Sequence, residues 1–149
     1  MPAAFHGFDH IDMRVRSLDV VEKFYDELLA ELGLTRKRLS HVDADGEWHE
    51  AGLERPYNVA EYYEPAERDK VAFFIGIIED RGMTPVKTRV AFRLGSRAEL
   101  DRLHRRLHEI GARSIEPSED MDGYPAIFFE DAAGTKLEVC ARHTPADGF

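Results

Sequence analysis

An α+β fold, one domain over residues 1–149 made of two βαβββ modules, is what this sequence predicts. Three observations carry the prediction. Apolar and polar residues alternate in "HIDMRV" and again in "TRVAFRL", the period-two signature of a half-buried strand. Each stretch leads into a segment of helical period, "SLDVVEKFYDELLAELG" and "SRAELDRLHRRLHEIG". The two starts, His10 and Arg89, lie 79 residues apart, and the same offset pairs Ile11 with Val90, Met13 with Phe92, Arg14 with Arg93 and Ser17 with Ser96. Self-similarity at one offset reads as a duplicated supersecondary unit.

Module one spans about residues 5–80. Its first strand puts Ile11, Met13 and Val15 on one face and His10, Asp12 and Arg14 on the other. The helix over Leu18 to Leu32 gathers Val21, Phe24, Tyr25, Leu28, Leu29 and Leu32 on one side. Ser17 stands at its N-cap, and Gly33 stands where a left-handed residue ends a helix. Strands are expected in "TRKRLSHV", "PYNVAEYYE" and "KVAFFIGIIE", with "DADGEWHEAGLER" a loop on its Asp, Gly and polar content. The apolar run "VAFFIGII" has two faces to cover, and Phe74 and Ile78 facing outward or into a partner argue for a homodimer.

Module two spans about residues 86–143 and repeats the plan. "TRVAFRL" sets Val90, Phe92 and Leu94 against Arg89, Ala91 and Arg93. The helix over Arg97 to Ile110 opens on a Ser96–Glu99 capping box and closes at Gly111. Leu100, Leu103, Leu107 and Ile110 form its buried stripe. Strands follow in "ARSIEP", "YPAIFFE" and "TKLEVCA".

Bulk properties exclude several functions. A formal charge of −9 is the wrong sign for non-specific nucleic-acid binding. The longest apolar run is too short to span a membrane. The start, "MPAAFHGFDH", lacks the apolar core of a signal peptide. The single cysteine, Cys140, forms no intrachain disulfide and suits a reducing compartment, so a cytoplasmic location is expected. There is no P-loop, no glycine pattern for a dinucleotide and no Gly-x-Ser-x-Gly elbow.

A duplicated βαβββ module that opens on "DHIDMRV" and closes on "DAAGTKLEVCAR" resembles the vicinal oxygen chelate superfamily. That group includes glyoxalase I, bleomycin-resistance proteins, fosfomycin-resistance enzymes and extradiol dioxygenases. The resemblance covers nearly the whole chain. The family's closing motif reads Asp-Pro-x-Gly and then a strand containing Glu; here it is Asp131-Ala132-Ala133-Gly134, then Glu138, without the proline. The resemblance implies a curled mixed sheet around a cup that takes a small molecule, and in the family's enzymes a divalent Fe, Mn, Zn or Ni ion within it.

Family ligands come from the first and last strands of each module. Carried over, those positions are His10, a place near Gly76, Arg89 and Glu138. Glycine offers no side chain, and arginine has no lone pair to donate. Two ligands are too few for an ordinary catalytic site, and a guanidinium opposite Glu138 fits a charge-assisted pair instead. His10 then reads as the remnant of a metal site, and neither His41 nor His49 has a spacing that restores one.

If the helices cover the apolar faces, Asp12, Arg14, Arg89, Arg93, Lys136 and Glu138 line the cup. Four bases against two acids reverse the global charge and favour a small organic anion, unless these groups only pair with one another. Trp48, Tyr57, Tyr62, Tyr63, Phe74, Tyr124 and Phe128 add stacking surface. His104 and His108 sit four apart without the Glu of a zincin helix, and Cys140 has no base beside it in sequence. The expectation is therefore a protein of the glyoxalase and bleomycin-resistance type that binds a small anionic molecule, with a degenerate metal site. The alternative is a metal-dependent lyase, isomerase or dioxygenase, with Glu138 the first catalytic candidate.

Overall fold

The computed structural model describes residues 3–142. The chain divides into two compact units, Met1–Met83 and Thr84–Phe149. In unit 1 the order is β1 (His10–Val15), α1 (Leu18–Glu31), β2 (Arg36–Val42), β3 (Trp48–Glu50), β4 (Val59–Tyr63) and β5 (Phe74–Glu79). Unit 2 runs β6 (Arg89–Arg93), α2 (Arg97–Glu109), β7 (Arg113–Pro117), β8 (Ala126–Glu130) and β9 (Lys136–Cys140). The result is an α+β fold with two open mixed sheets, ordered β1-β5-β4-β2-β3 and β6-β9-β8-β7. The duplication is visible in the pairing: β1 runs parallel to β5 as β6 does to β9, and the remaining neighbours are antiparallel.

The helix ends show why both modules break where they do. Gly33 N–H donates to Ala30 O and Leu34 N–H to Leu29 O, and Gly111 and Ala112 repeat this onto His108 O and Leu107 O. Each is a Schellman closure, with φ of 87° at Gly33 and 94° at Gly111. The starts differ. Ser96 Oγ accepts from Glu99 N–H at 3.2 Å, as the capping box requires. Ser17 occupies the N-cap of α1 but makes no side-chain cap. Glu79, at the end of β5, accepts from Leu18 N–H at 3.0 Å instead. A carboxylate from the neighbouring strand thus meets the positive end of the helix.

Two expectations need correction. The "DADGEWHEAGLER" loop contains β3, which pairs antiparallel with β2 through a turn at Gly46, so unit 1 carries a strand that has no counterpart among the described residues of unit 2. Turn residues dominated the window and hid a three-residue strand inside it. Ile78 is fully buried and does not look outward. Phe74 is stacked between His10 and Tyr63, at 4.6 Å from each.

The helix-side core of unit 1 is Met13, Val15, Val21, Tyr25, Leu28, Leu29, Ile75 and Ile77. Unit 2 buries Leu100, Leu103, Leu107, Ile127, Leu137 and Val139. Because strand residues alternate, filling one face with apolar side chains leaves the opposite face to the polar residues. No helix among the described residues is long and apolar enough to cross a membrane.

Candidate functional site

On unit 1 the helix-free face is built from aligned rungs across the sheet. His10, Phe74, Tyr63 and Arg36 form one rung, and Asp12, Gly76, Glu61 and Arg38 the next. The first is a continuous stack. The His10 ring lies nearly parallel to Phe74, Phe74 stacks on Tyr63, and the Arg36 guanidinium sits 5.6 Å from the Tyr63 centroid. His10 is exposed, its Nδ1–H donates to Asp9 at 2.7 Å, and its Nε2 lies 3.8 Å from an Asp12 oxygen. The bond to Asp9 holds the imidazole pKa above its ordinary value, helped by the charge of Asp12.

The second rung explains Gly76. A Cβ at that position would collide with Asp12 Oδ1. The Asp12 carboxylate leans over the gap the glycine leaves. Across the gap stands Glu61, a carboxylate only 6% exposed. It accepts from Ser40 Oγ–H at 3.1 Å and from Tyr63 Oη–H at 3.0 Å, while Arg38 Nε stays 3.9 Å away. Burial, and then this bond to Glu61, raise the Tyr63 pKa. Sequence reasoning missed Glu61. The signal was there: it is the single charge in "VAEYY", in phase with Val59 and Tyr63.

Unit 2 carries its own buried carboxylate. Glu138 is 5% exposed and accepts from Tyr124 Oη–H at 2.6 Å. That bond raises the Tyr124 pKa to about 12. The Asp120–Tyr124 turn presents the phenol, closed by Tyr124 N–H on Asp120 O and Gly123 N–H on Asp120 Oδ1. Arg89 differs from expectation. Its register partner is Lys136, while Ala91 faces Glu138. The guanidinium lies over the Phe128 ring at 4.5 Å, and among the described residues no ion pair joins it to Glu138. Reaching across β9 to an aromatic face satisfies arginine without a carboxylate. Lys136 pairs with Glu130 at 2.8 Å. Arg93 is exposed, and Arg14 is exposed on unit 1.

The remaining candidates fall into place. Tyr62 and Tyr57 turn to the helix side, donating to Asp26 and Glu22. His41 donates to Pro56 O. His104 is half-buried and His108 exposed on α2, and Cys140 is buried at the end of β9. The Asp131 turn keeps its chemistry without proline: Asp131 Oδ1 accepts from Ala133 N–H and Thr135 N–H, and Gly134 has φ 86°.

Register also locates the positions of the inherited metal set within each unit. Within its unit Gly76 holds the place that Glu138 holds in the other, since Asp12 pairs with Gly76 as Ala91 pairs with Glu138. Arg89 holds the place of His10. Two of four positions therefore offer no donor atom, and this set does not fit an ordinary divalent site. A different group can hold an ion: Asp43, Glu47 and His49 bring ligand atoms within 4.8 Å of one another in the β2–β3 hairpin. There the His49 Nε2–H bond to Asp43, 2.7 Å long, lowers the Asp43 pKa, and Arg55 donates to His49 Nδ1.

Comparison with known proteins agrees with this architecture. The family model described as Glyoxalase/Bleomycin resistance protein/Dioxygenase superfamily matches residues 7–139. No curated protein matches the chain. Among solved structures, a glyoxalase/bleomycin resistance protein from Albidiferax ferrireducens T118 is similar at TM-score 0.62 and 21% identity, covering 91% of this chain and 98% of its own. A glyoxylase/bleomycin resistance protein/dioxygenase domain from Frankia sp. EAN1pec is similar at TM-score 0.58 and 18% identity, covering 94% and 100%. A mutant of the fosfomycin resistance protein FosX from Listeria monocytogenes, complexed with Mn(II) and 1S,2S-dihydroxypropylphosphonic acid, is similar at 0.57 and 17%, covering 94% and 95%.

Proposed function

This chain belongs to the glyoxalase/bleomycin resistance protein/dioxygenase superfamily, and on that premise we propose that it binds a small organic anion through Arg89, with its inherited metal set degenerate. One observation carries the reading. The Arg89 guanidinium lies over the Phe128 ring, 4.5 Å from its centroid, uncompensated by any carboxylate among the described residues. A guanidinium whose partner is an aromatic ring keeps N–H donors for a carboxylate, phosphate or phosphonate. Arg93, four residues on along the same strand face, adds charge of the same sign. Lys136 contributes less, because Glu130 neutralises it. On unit 1, taken by itself, Arg14 and Asp12 are proposed as polar groups available to a ligand on the helix-free face of that unit. The phosphonate held by the FosX mutant is the class of anion this chemistry suits.

Metal-dependent lyase, isomerase or dioxygenase chemistry is the second reading, favoured by the Mn(II) of that relative. Its candidate ligands are His10 on unit 1 and Glu138 on unit 2, each considered within its own unit. Elemental analysis of the purified protein, paired with calorimetric titration of a phosphonate and a carboxylate, separates the readings. We expect metal well below one equivalent, unchanged in His10→Ala, and anion binding weakened about ten-fold or more in Arg89→Gln. A full equivalent of Fe, Mn, Zn or Ni that His10→Ala removes would overturn the degenerate-site reading. A cytoplasmic location belongs to the same proposal, supported by the single free cysteine.

A further inference from the structure

Strand β3 poses a question that the rest of the fold does not answer. It has no counterpart among the described residues of unit 2, it lies at a sheet edge, and it adds nothing large to the core: Trp48 and Glu50 are both exposed. What it does is wall a cleft. Ser40 pairs with Glu50 and Val42 with Trp48, so both β3 side chains stand on the face that carries Arg38, Ser40 and Glu61. Together with His49 these residues line a cavity of about 230 Å³.

The charges in this cleft are unbalanced in an informative way. Glu61 is buried, yet its close partners are two neutral hydroxyls, Ser40 and Tyr63. Its nearest cation, Arg38, is 3.9 Å away with 63% of its side chain in solvent. Glu50 has no partner among the described residues. His49 has both ring nitrogens engaged, by Asp43 and by Arg55. Burying a carboxylate without a matched cation is costly, and sites that tolerate this cost are enriched in function. Trp48, a residue 47% exposed at the rim, adds the aromatic face that best attracts a cation.

We propose that the β2–β3–β4 cleft of unit 1 is a binding site for a small organic cation, a primary ammonium or amidinium on an apolar body. The charged nitrogen meets Glu61 and Glu50, and the body lies against Trp48. The residues that line this cleft all belong to unit 1, and the proposal does not rest on the anion chemistry of Arg89.

Trp48 is the chain's one tryptophan, so intrinsic indole fluorescence reports on this cleft alone. The test is a fluorescence titration of the full-length protein with benzylamine, benzyl alcohol and benzoate at one ionic strength. A saturable change is expected with benzylamine, at least about ten-fold tighter than with the neutral alcohol, and none with benzoate. Glu61→Gln should weaken benzylamine by about ten-fold, and Glu50→Gln by less because it is exposed. Should Glu61→Gln fail to fold, Arg38→Gln keeps the test alive. It removes the competing guanidinium and should tighten benzylamine binding. Arg89→Gln should leave the titration unchanged, which separates this site from the anion reading. Equal binding of amine and alcohol, or Glu50→Gln and Arg38→Gln both without effect, would overturn the proposal.

Discussion

At the scale of single residues, a neutral partner replaces a charged one at the decisive carboxylate. Glu138 takes its bond from the Tyr124 phenol, so removing its charge strands no buried cation. Glu138→Gln, whose amide oxygen still accepts from the phenol, should cost only about 1 kcal/mol in denaturant unfolding. It should also let Tyr124 ionise earlier, from about 12 back toward the ordinary tyrosine range, read as phenolate absorbance against pH. The linkage sign follows. A folded pKa raised above the unfolded value means the Tyr124–Glu138 bond stabilises fully below about pH 10 and is lost as pH rises toward 12. His10 obeys the same sign at lower pH. Its pKa is raised by Asp9, so its contribution is complete below about 6.5 and fades above that value. Asp9→Asn should shift the His10 midpoint, followed by proton NMR, downward; an unmoved midpoint would show that Asp12 and Glu61 dominate.

Individual elements differ in what starts them. Ser96 caps α2 with its own hydroxyl, so Ser96→Ala should cost about 1 kcal/mol by chemical denaturation. Ser17→Ala should cost much less, since Ser17 makes no such bond. The loss at α1 should fall on Glu79→Ala, at about 1 kcal/mol, because Glu79 holds the Leu18 N–H and the positive helix end. A larger effect of Ser17→Ala than of Glu79→Ala would refute this division. Both helices end on glycines at positive φ, and Gly33→Ala or Gly111→Ala should each cost about 1 kcal/mol for the strained left-handed alanine.

For the molecule as a whole we propose a homodimer, although Ile78, one of the two residues that suggested it, is fully buried. The support now is an exposed aromatic pair ahead of β1. Phe5 and Phe8 meet edge to face at 5.5 Å, 78% and 70% exposed. Large exposed apolar groups in contact commonly mark an interface. Light scattering at micromolar concentration should return twice the chain mass of 17.0 kDa, and Phe5→Ser with Phe8→Ser should return a monomer. A monomeric wild type would count against it.

What the sequence determined by itself is the fold and its duplication. Periodicity and capping are local properties: the alternation at His10 and Arg89, the Ser96–Glu99 box and the glycines at 33 and 111 each act within a few residues. Every one of them reappears in the elements described. The short strand β3 escaped because three residues carry too little period to outweigh the turn chemistry around them. The partners of the site residues were decided only by tertiary structure. Which side chain sits beside Glu138 or Gly76 depends on strand register, and register joins residues far apart in the chain. Sequence places Arg89 and Glu138 on one face, but pairing sets Arg89 against Lys136 and lets its guanidinium reach Phe128. The sequence marks Glu61 as a charge in phase with Val59 and Tyr63, but only the pairing of β4 sets it beside Ser40 and opposite Gly76, a glycine 15 residues later in the chain. A carboxylate's neighbours, and so its chemistry, are fixed by folding rather than by adjacency.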